Sequence, residues 1–249
     1  MKPLIAKIKP ASGFSQVVHL GFNVLLPLIV FVLVRIHFLQ LALAVILLSK
    51  WRMFAVRPRF WAANVRANAV DILVGVSLLV FMAHSGGQWL QLAWAVLYGI
   101  WLVSIKPASN ALMVSVQAMI GLLCGLMALF VAWAAGPLYG LVLATGLICY
   151  LTAHHFFDSF DESYARLLAY TWGYFGAALV WVLGHWLLFY GRVAQPVLLL
   201  LTIGYGLGTL YYLDHHGKMS KGVRRQFIFI MIAVVVIIVA FSDWGDKIV

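Results

Sequence analysis

Residues 154–166, HHFFDSFDESYAR, gather two histidines, three carboxylates and an arginine between two apolar runs. On a continuous helix His154 and Asp158 are four apart, and Asp158 lies three and four residues before Asp161 and Glu162, so the set would line one face. A second group, Asp214, His215 and His216, falls in a later polar stretch. Imidazole and carboxylate donors together suit zinc or iron. His154, His155, Asp158, Asp214, His215 and His216 are therefore the candidate metal ligands, and Asp158, Asp161 and Asp71 the candidate catalytic acids.

The same stretch has a mechanical use. Ser159-x-x-Glu162 matches a capping box, and Asp158, Asp161 and Glu162 would sit at the positive N-terminus of the helix that follows. Arg166 lies four residues after Glu162, a favourable helix pair. On sequence the cap is preferred to the active site, so no cofactor is expected, with a divalent metal as the alternative.

Short motifs add resemblances without membership. Asp158-x-x-Asp161 followed by Ala165-Arg166 is similar to the first half of the CDP-alcohol phosphotransferase motif, which implies metal-holding aspartates. Glu162 stands where that family has glycine, and Val180 and Gly184 occupy the places of its last two aspartates. Asp214-His215-His216 resembles the opening of the membrane palmitoyltransferase motif, with Gly217 in place of the nucleophilic cysteine. Without a thiol no acyl-enzyme forms. Lys218-Met219-Ser220-Lys221 resembles the nucleotide-stabilising loop of class I aminoacyl-tRNA synthetases, but the companion His-x-Gly-His is missing.

The elements that must position these groups are membrane helices. Of the 249 residues 65% are hydrophobic and 10% charged, with a mean hydropathy of +1.02, whereas soluble domains are about half apolar and a quarter charged. Apolar runs long enough for a hydrocarbon core of about 30 Å predict nine spans, near 17–34, 36–50, 67–83, 88–105, 109–134, 137–155, 163–190, 194–213 and 226–242. The first two meet at Arg35-Ile36-His37, and a single helix kinked at Pro27 is their rival. Nine spans put fourteen Lys and Arg inside against three (Arg35, Arg192 and Lys247) outside, a positive-inside bias that favours the hairpin. The expected fold is an all-α polytopic bundle of helical hairpins in a plasma or inner membrane, N-terminus inside and C-terminus outside. It forms a single transmembrane domain over 1–249, with a basic cytoplasmic segment 1–16, uncleaved, and no soluble domain.

Topology also accounts for the net charge of +10, so no nucleic-acid partner is expected. The longest inner loop interleaves Trp51, Phe54, Phe60 and Trp61 with cations, a mixture suited to anionic headgroups at the cytoplasmic face. Cys124 and Cys149 both lie in apolar runs, which argues against a disulfide framework or a cysteine zinc site. Within the spans Asp71 is the clearest ionisable group, with Asn68 or Arg66 as expected partners. Asn110, Ser115 and Gln117 form a polar stripe, and small residues four apart, such as Gly173 with Ala177 and Gly204 with Gly208, let helices approach.

Three functions fit. The preferred one is a non-enzymatic membrane component that handles lipid or packs against a partner membrane protein or a second copy of itself. A small-solute transporter would use Asp71 and the polar stripe. A metal-dependent enzyme acting on lipid-linked substrates would use the two histidine pairs.

Overall fold

The computed structural model describes residues 14–133, 135–186, 189–190 and 193–244; most of the basic segment 1–16, together with Arg192 and Lys247, lies outside them. The protein is all-α. Its helices are α1 (Phe14–Arg35), α2 (Leu39–Leu48), α3 (Trp61–Ala67), α4 (Ala69–His84), α5 (Gln88–Ile100), α6 (Ala111–Trp133), α7 (Leu138–Asp158), α8 (Ala165–Leu183), α9 (Gln195–His215) and α10 (Lys221–Ala240). Among the described residues five segments are long and apolar enough to cross a membrane: α5 with its continuation to Ile105, α6, α7, α9 and α10. The bent pair from Pro58 through α4 would make a sixth.

Pro27 lies within α1 without ending it, and the chain instead turns after Arg35, where His37 takes a φ of 62°. Residues 17–50 are thus two helices. The second is shorter than the expected 36–50: ten residues of α2 rise about 15 Å, half a hydrocarbon core. Helix α8 also stops early, at Leu183 rather than near 190, because the chain there turns into a hairpin in which Phe189–Tyr190 pairs with Val193–Ala194. Between α3 and α4 the axis bends by 60°. At that break Asn68 Nδ2 donates to the Asn64 carbonyl at 2.9 Å.

Contacts between sequence-distant residues fix the two ends of the bundle. At one end, Arg35 closing α1 reaches Gln91 opening α5, and Gln195 opening α9 donates to Ser242 just past α10. At the other, the end of α2, the start of α4 and the end of α5 meet, as do the start of α6 and the end of α7. Consecutive long helices therefore alternate in direction.

Among the described residues two larger apolar cores run between these ends, with a smaller cluster around Ala118, Phe156 and Phe160. One packs α1, α2, α4 and α5 around Ile46, Met82 and Tyr98; the other packs α6 to α9 around Leu126, Val180 and Leu200. Helices α7 and α8 approach closely, so that a Cβ on Gly173 would sit 2.9 Å from the Gly146 carbonyl oxygen. Small residues there bring backbone against backbone. Helix α8 packs tightly on α7 but touches α9 sparsely, and α10 rests chiefly on α9.

Candidate functional site

Asp71 lies in the first turn of α4 and is 6% exposed. A buried carboxylate must find donors or lose its charge. Asp71 finds three. Lys50 Nζ, just after α2, lies 2.5 Å from its Oδ2, Lys106 Nζ lies 2.6 Å from the same oxygen, and Trp101 Nε1 donates to Oδ1 at 3.0 Å. The expectation that Asn68 or Arg66 would pair with Asp71 is corrected: Asn68 bonds back to α3, and Arg66 turns to α7.

Trp101 and Lys106 reach one carboxylate because α5 ends in a π-helical turn, Trp101–Ile105, closed by Lys106 N–H donating to the Trp101 carbonyl at 2.9 Å. Residues five apart on an α-helix diverge by about 140°. The wider i→i+5 turn brings them onto one face, and such turns often occur at functional sites. Gln117 of α6 holds this turn. Its Nε2 donates to the carbonyls of Ile105 at 2.7 Å and Ala108 at 2.8 Å, while its Oε1 lies 3.1 Å from His155 Nε2 of α7. Gln117 and His155, placed in different groups by sequence, form one brace behind Asp71. Of the other stripe members, Ser115 bonds within its own helix, and Asn110 Oδ1 accepts from Met113 N–H at the start of α6.

The histidine and carboxylate stretch divides among different jobs. Arg66 Nη1 lies 3.4 Å from His154 Nε2, and His154 Nδ1 lies 3.0 Å from Asp158 Oδ2. Since a guanidinium only donates, Nε2 is the acceptor, and Nδ1 faces the carboxylate oxygen. Both imidazole nitrogens are used. His215 and His216 sit among rings, His215 4.9 Å from Phe160 and His216 stacked 4.2 Å from Tyr212. Among the described residues no three His, Cys, Asp or Glu side chains converge on a point where a metal could sit. Asp161 is exposed with a φ of 51°, and Asp214 borders an apolar groove described below.

The capping box does not form. Helix α7 continues to Asp158, and Ser159 closes that helix by donating to the Phe156 carbonyl at 2.7 Å instead of opening α8. The cap of α8 is Tyr164, with no side-chain bond. Glu162 instead accepts from the Tyr211 hydroxyl of α9 and from Tyr164 N–H. These donors hold its carboxyl below the usual glutamate value, the Tyr211 bond contributing most.

A second feature lies between α6, α7, α8 and α9. A cavity of about 660 Å³ is walled by Met119, Leu122, Phe156, Trp172, Phe175 and Leu207, with Asp214 and Arg224 at its polar end. Gly204 and Gly208 of α9 floor it. Their missing side chains make room for Leu122, Trp172 and Met119, so this pair admits neighbouring side chains where Gly146 and Gly173 admit backbone. The signal in sequence was the four-residue glycine spacing; what it faces is tertiary.

No known family model, curated protein or solved structure matches the chain.

Proposed function

We propose that the protein is a non-enzymatic, multi-pass component of a plasma or inner membrane that holds a lipid acyl chain in the groove bordered by α6 to α9. In this reading the chain makes nine passes, α1, α2 and α4 to α10, the short α2 covering by itself only about half of the hydrocarbon core, with the N-terminus inside and the C-terminus outside, and the end carrying Asp71 and Glu162 faces the cytoplasm. The observation that carries the reading is the groove itself: apolar walls, aromatic edges at Trp172 and Phe175, and a charged pair only at one end. Pockets of this size and lining suit apolar ligands positioned by a few polar groups. The sparse contact between α8 and α9 supports entry from the side.

The two other readings find less support. Transport through Asp71 would need a carboxylate that can let go of its partners, whereas this one is held by two ammonium groups and an indole. A metal enzyme would need free imidazole nitrogens, and those of His154 face a guanidinium and a carboxylate.

Photo-crosslinking with a phospholipid carrying a diazirine in its acyl chain tests the proposal on the purified, reconstituted protein. Adducts should map to α8 and α9 near Trp172 and Leu207, and Thr171→Trp, which fills the groove from its rim, should abolish them. Adducts spread evenly over all lipid-facing helices, unchanged by Thr171→Trp, would overturn it.

A further inference from the structure

The trio at the α4 start carries a charge imbalance. Lys50 and Lys106 both reach one oxygen of Asp71, so two positive charges meet one negative charge and the trio is left at +1. Lys50 is 7% exposed. Burying unbalanced charge is costly unless a counter-charge is near. The chain has seven acidic residues, and among the described residues no other carboxylate pairs with either lysine: Asp158 is at His154, Glu162 is at Tyr211 and Asp214 borders the other groove. No second carboxylate among the described residues balances the trio.

There is room for a counter-charge. Beside the trio lies a cavity of about 760 Å³ whose polar end is lined by Ser49, Lys50, Asn64, Asn68 and Lys106. Its other wall is mainly apolar, with Leu26 and Ile29 of α1 and Val45 and Leu48 of α2, and Asn23 of α1 the polar residue among them. The cavity follows from the shortness of α2, which stops at Leu48 while α1 runs back past Gly21. Among the described residues, the space beside α1 that a longer α2 would have covered is this cavity.

The donors define the ligand's chemistry. Each ammonium carries three N–H groups, six in all around one carboxylate oxygen. An acceptor with several oxygens and at least one negative charge completes them, and lysine serves phosphate as a point charge. The apolar wall continuous with this polar end argues that the phosphate arrives on a hydrocarbon tail.

We propose that the Lys50–Asp71–Lys106 cavity binds the phosphate of an anionic phospholipid, the start of its acyl chain lying between α1 and α2. This site is separate from the groove bordered by α6 to α9, and it stands or falls independently of it.

The full-length protein is reconstituted in phosphatidylcholine bilayers with and without phosphatidic acid, released, and examined by native mass spectrometry for retained lipid. Wild type should retain phosphatidic acid in preference to phosphatidylcholine, and Lys106→Gln, at the more exposed lysine, should weaken that preference roughly tenfold, as loss of one charge-assisted contact implies. Val45→Trp, which fills the apolar wall and leaves every charge in place, should do the same, so the test survives if one variant fails to fold. Arg166→Gln, an exposed cation that lines neither cavity, should leave the preference unchanged. Equal retention of the two lipids by wild type would overturn the site, and so would a preference that Lys106→Gln and Val45→Trp both preserve. Inorganic phosphate displacing phosphatidic acid at equal concentration would overturn the lipid assignment in favour of a free phosphate.

Discussion

At the scale of single residues, charge and hydrogen bonds decide what each side chain is for. Asp71→Asn would leave two ammonium groups without their shared carboxylate, and losing one partner of a buried ion pair typically costs about 3–5 kcal/mol. A large fall in thermal stability is therefore expected; a variant as stable as wild type would show that the trio is not charge-coupled. Ser159→Ala should change stability by less than about 0.5 kcal/mol, because Ser159 makes no N-cap bond to α8 and its hydroxyl only donates back to the Phe156 carbonyl of the helix it ends. Glu162 gives a pH dependence with a definite sign. Its carboxyl is held below the ordinary value by Tyr211 and Tyr164, so the folded form favours the ionised group. That contribution is fully present above the ordinary carboxylate pKa and is lost as the pH falls through the lowered one. Stability profiles of wild type and Tyr211→Phe should differ at neutral pH and converge below the carboxylate range, as read by thermal unfolding at a series of pH values.

At the scale of elements, close approach and register matter more. A Cβ at position 173 meets the Gly146 carbonyl oxygen at 2.9 Å and Tyr150 Cβ at 3.0 Å, so Gly173→Val must push α8 off α7. Overpacking of this kind costs about 1–3 kcal/mol. Gly99→Val, where nothing lies within 4 Å, is the matched control and should be nearly neutral. The π-helical turn makes a sharper prediction. Deleting Val103 should return the segment to α register and swing Lys106 away from Asp71. Lys106→Gln should then destabilise the intact protein but have little further effect in the deletion background, a coupling that a double-mutant cycle measures directly.

At the scale of the whole molecule, the alternation of helices sets the proposed topology. Ile36 and Lys218 lie beside turns at opposite ends of the bundle. A membrane-impermeant maleimide applied to intact cells should label Ile36→Cys and spare Lys218→Cys, with the pattern reversed in inside-out vesicles. Cys149 is buried and Cys124 half-buried, so background labelling should be low. Labelling of both positions from the same side would sink the nine-span arrangement.

Much of this organisation was legible from residue order alone, because apolar run length reflects the thickness of a hydrocarbon core. The expected 109–134 and 194–213 became Ala111–Trp133 and Gln195–His215, and Arg35-Ile36-His37 proved to mark the first turn. The same rule failed for the tail of α8, since a short hairpin can pair its backbone without helical periodicity. Asp71 was also legible, since one acid in an apolar run demands partners, but its partners were not. Lys50 and Lys106 read as inner-loop charges, and Trp101 as one aromatic among ten tryptophans. Only the short α2, the bend at Asn68 and the i→i+5 turn brought them onto one carboxylate. Ser159 and Glu162 had the spacing of a capping box, and a competing contact to Tyr211 took Glu162 away. Local patterns determine where helices start and stop because they depend on the chain against its solvent. Which side chains meet depends on helix length, bend and register together, and that was decided by the tertiary fold.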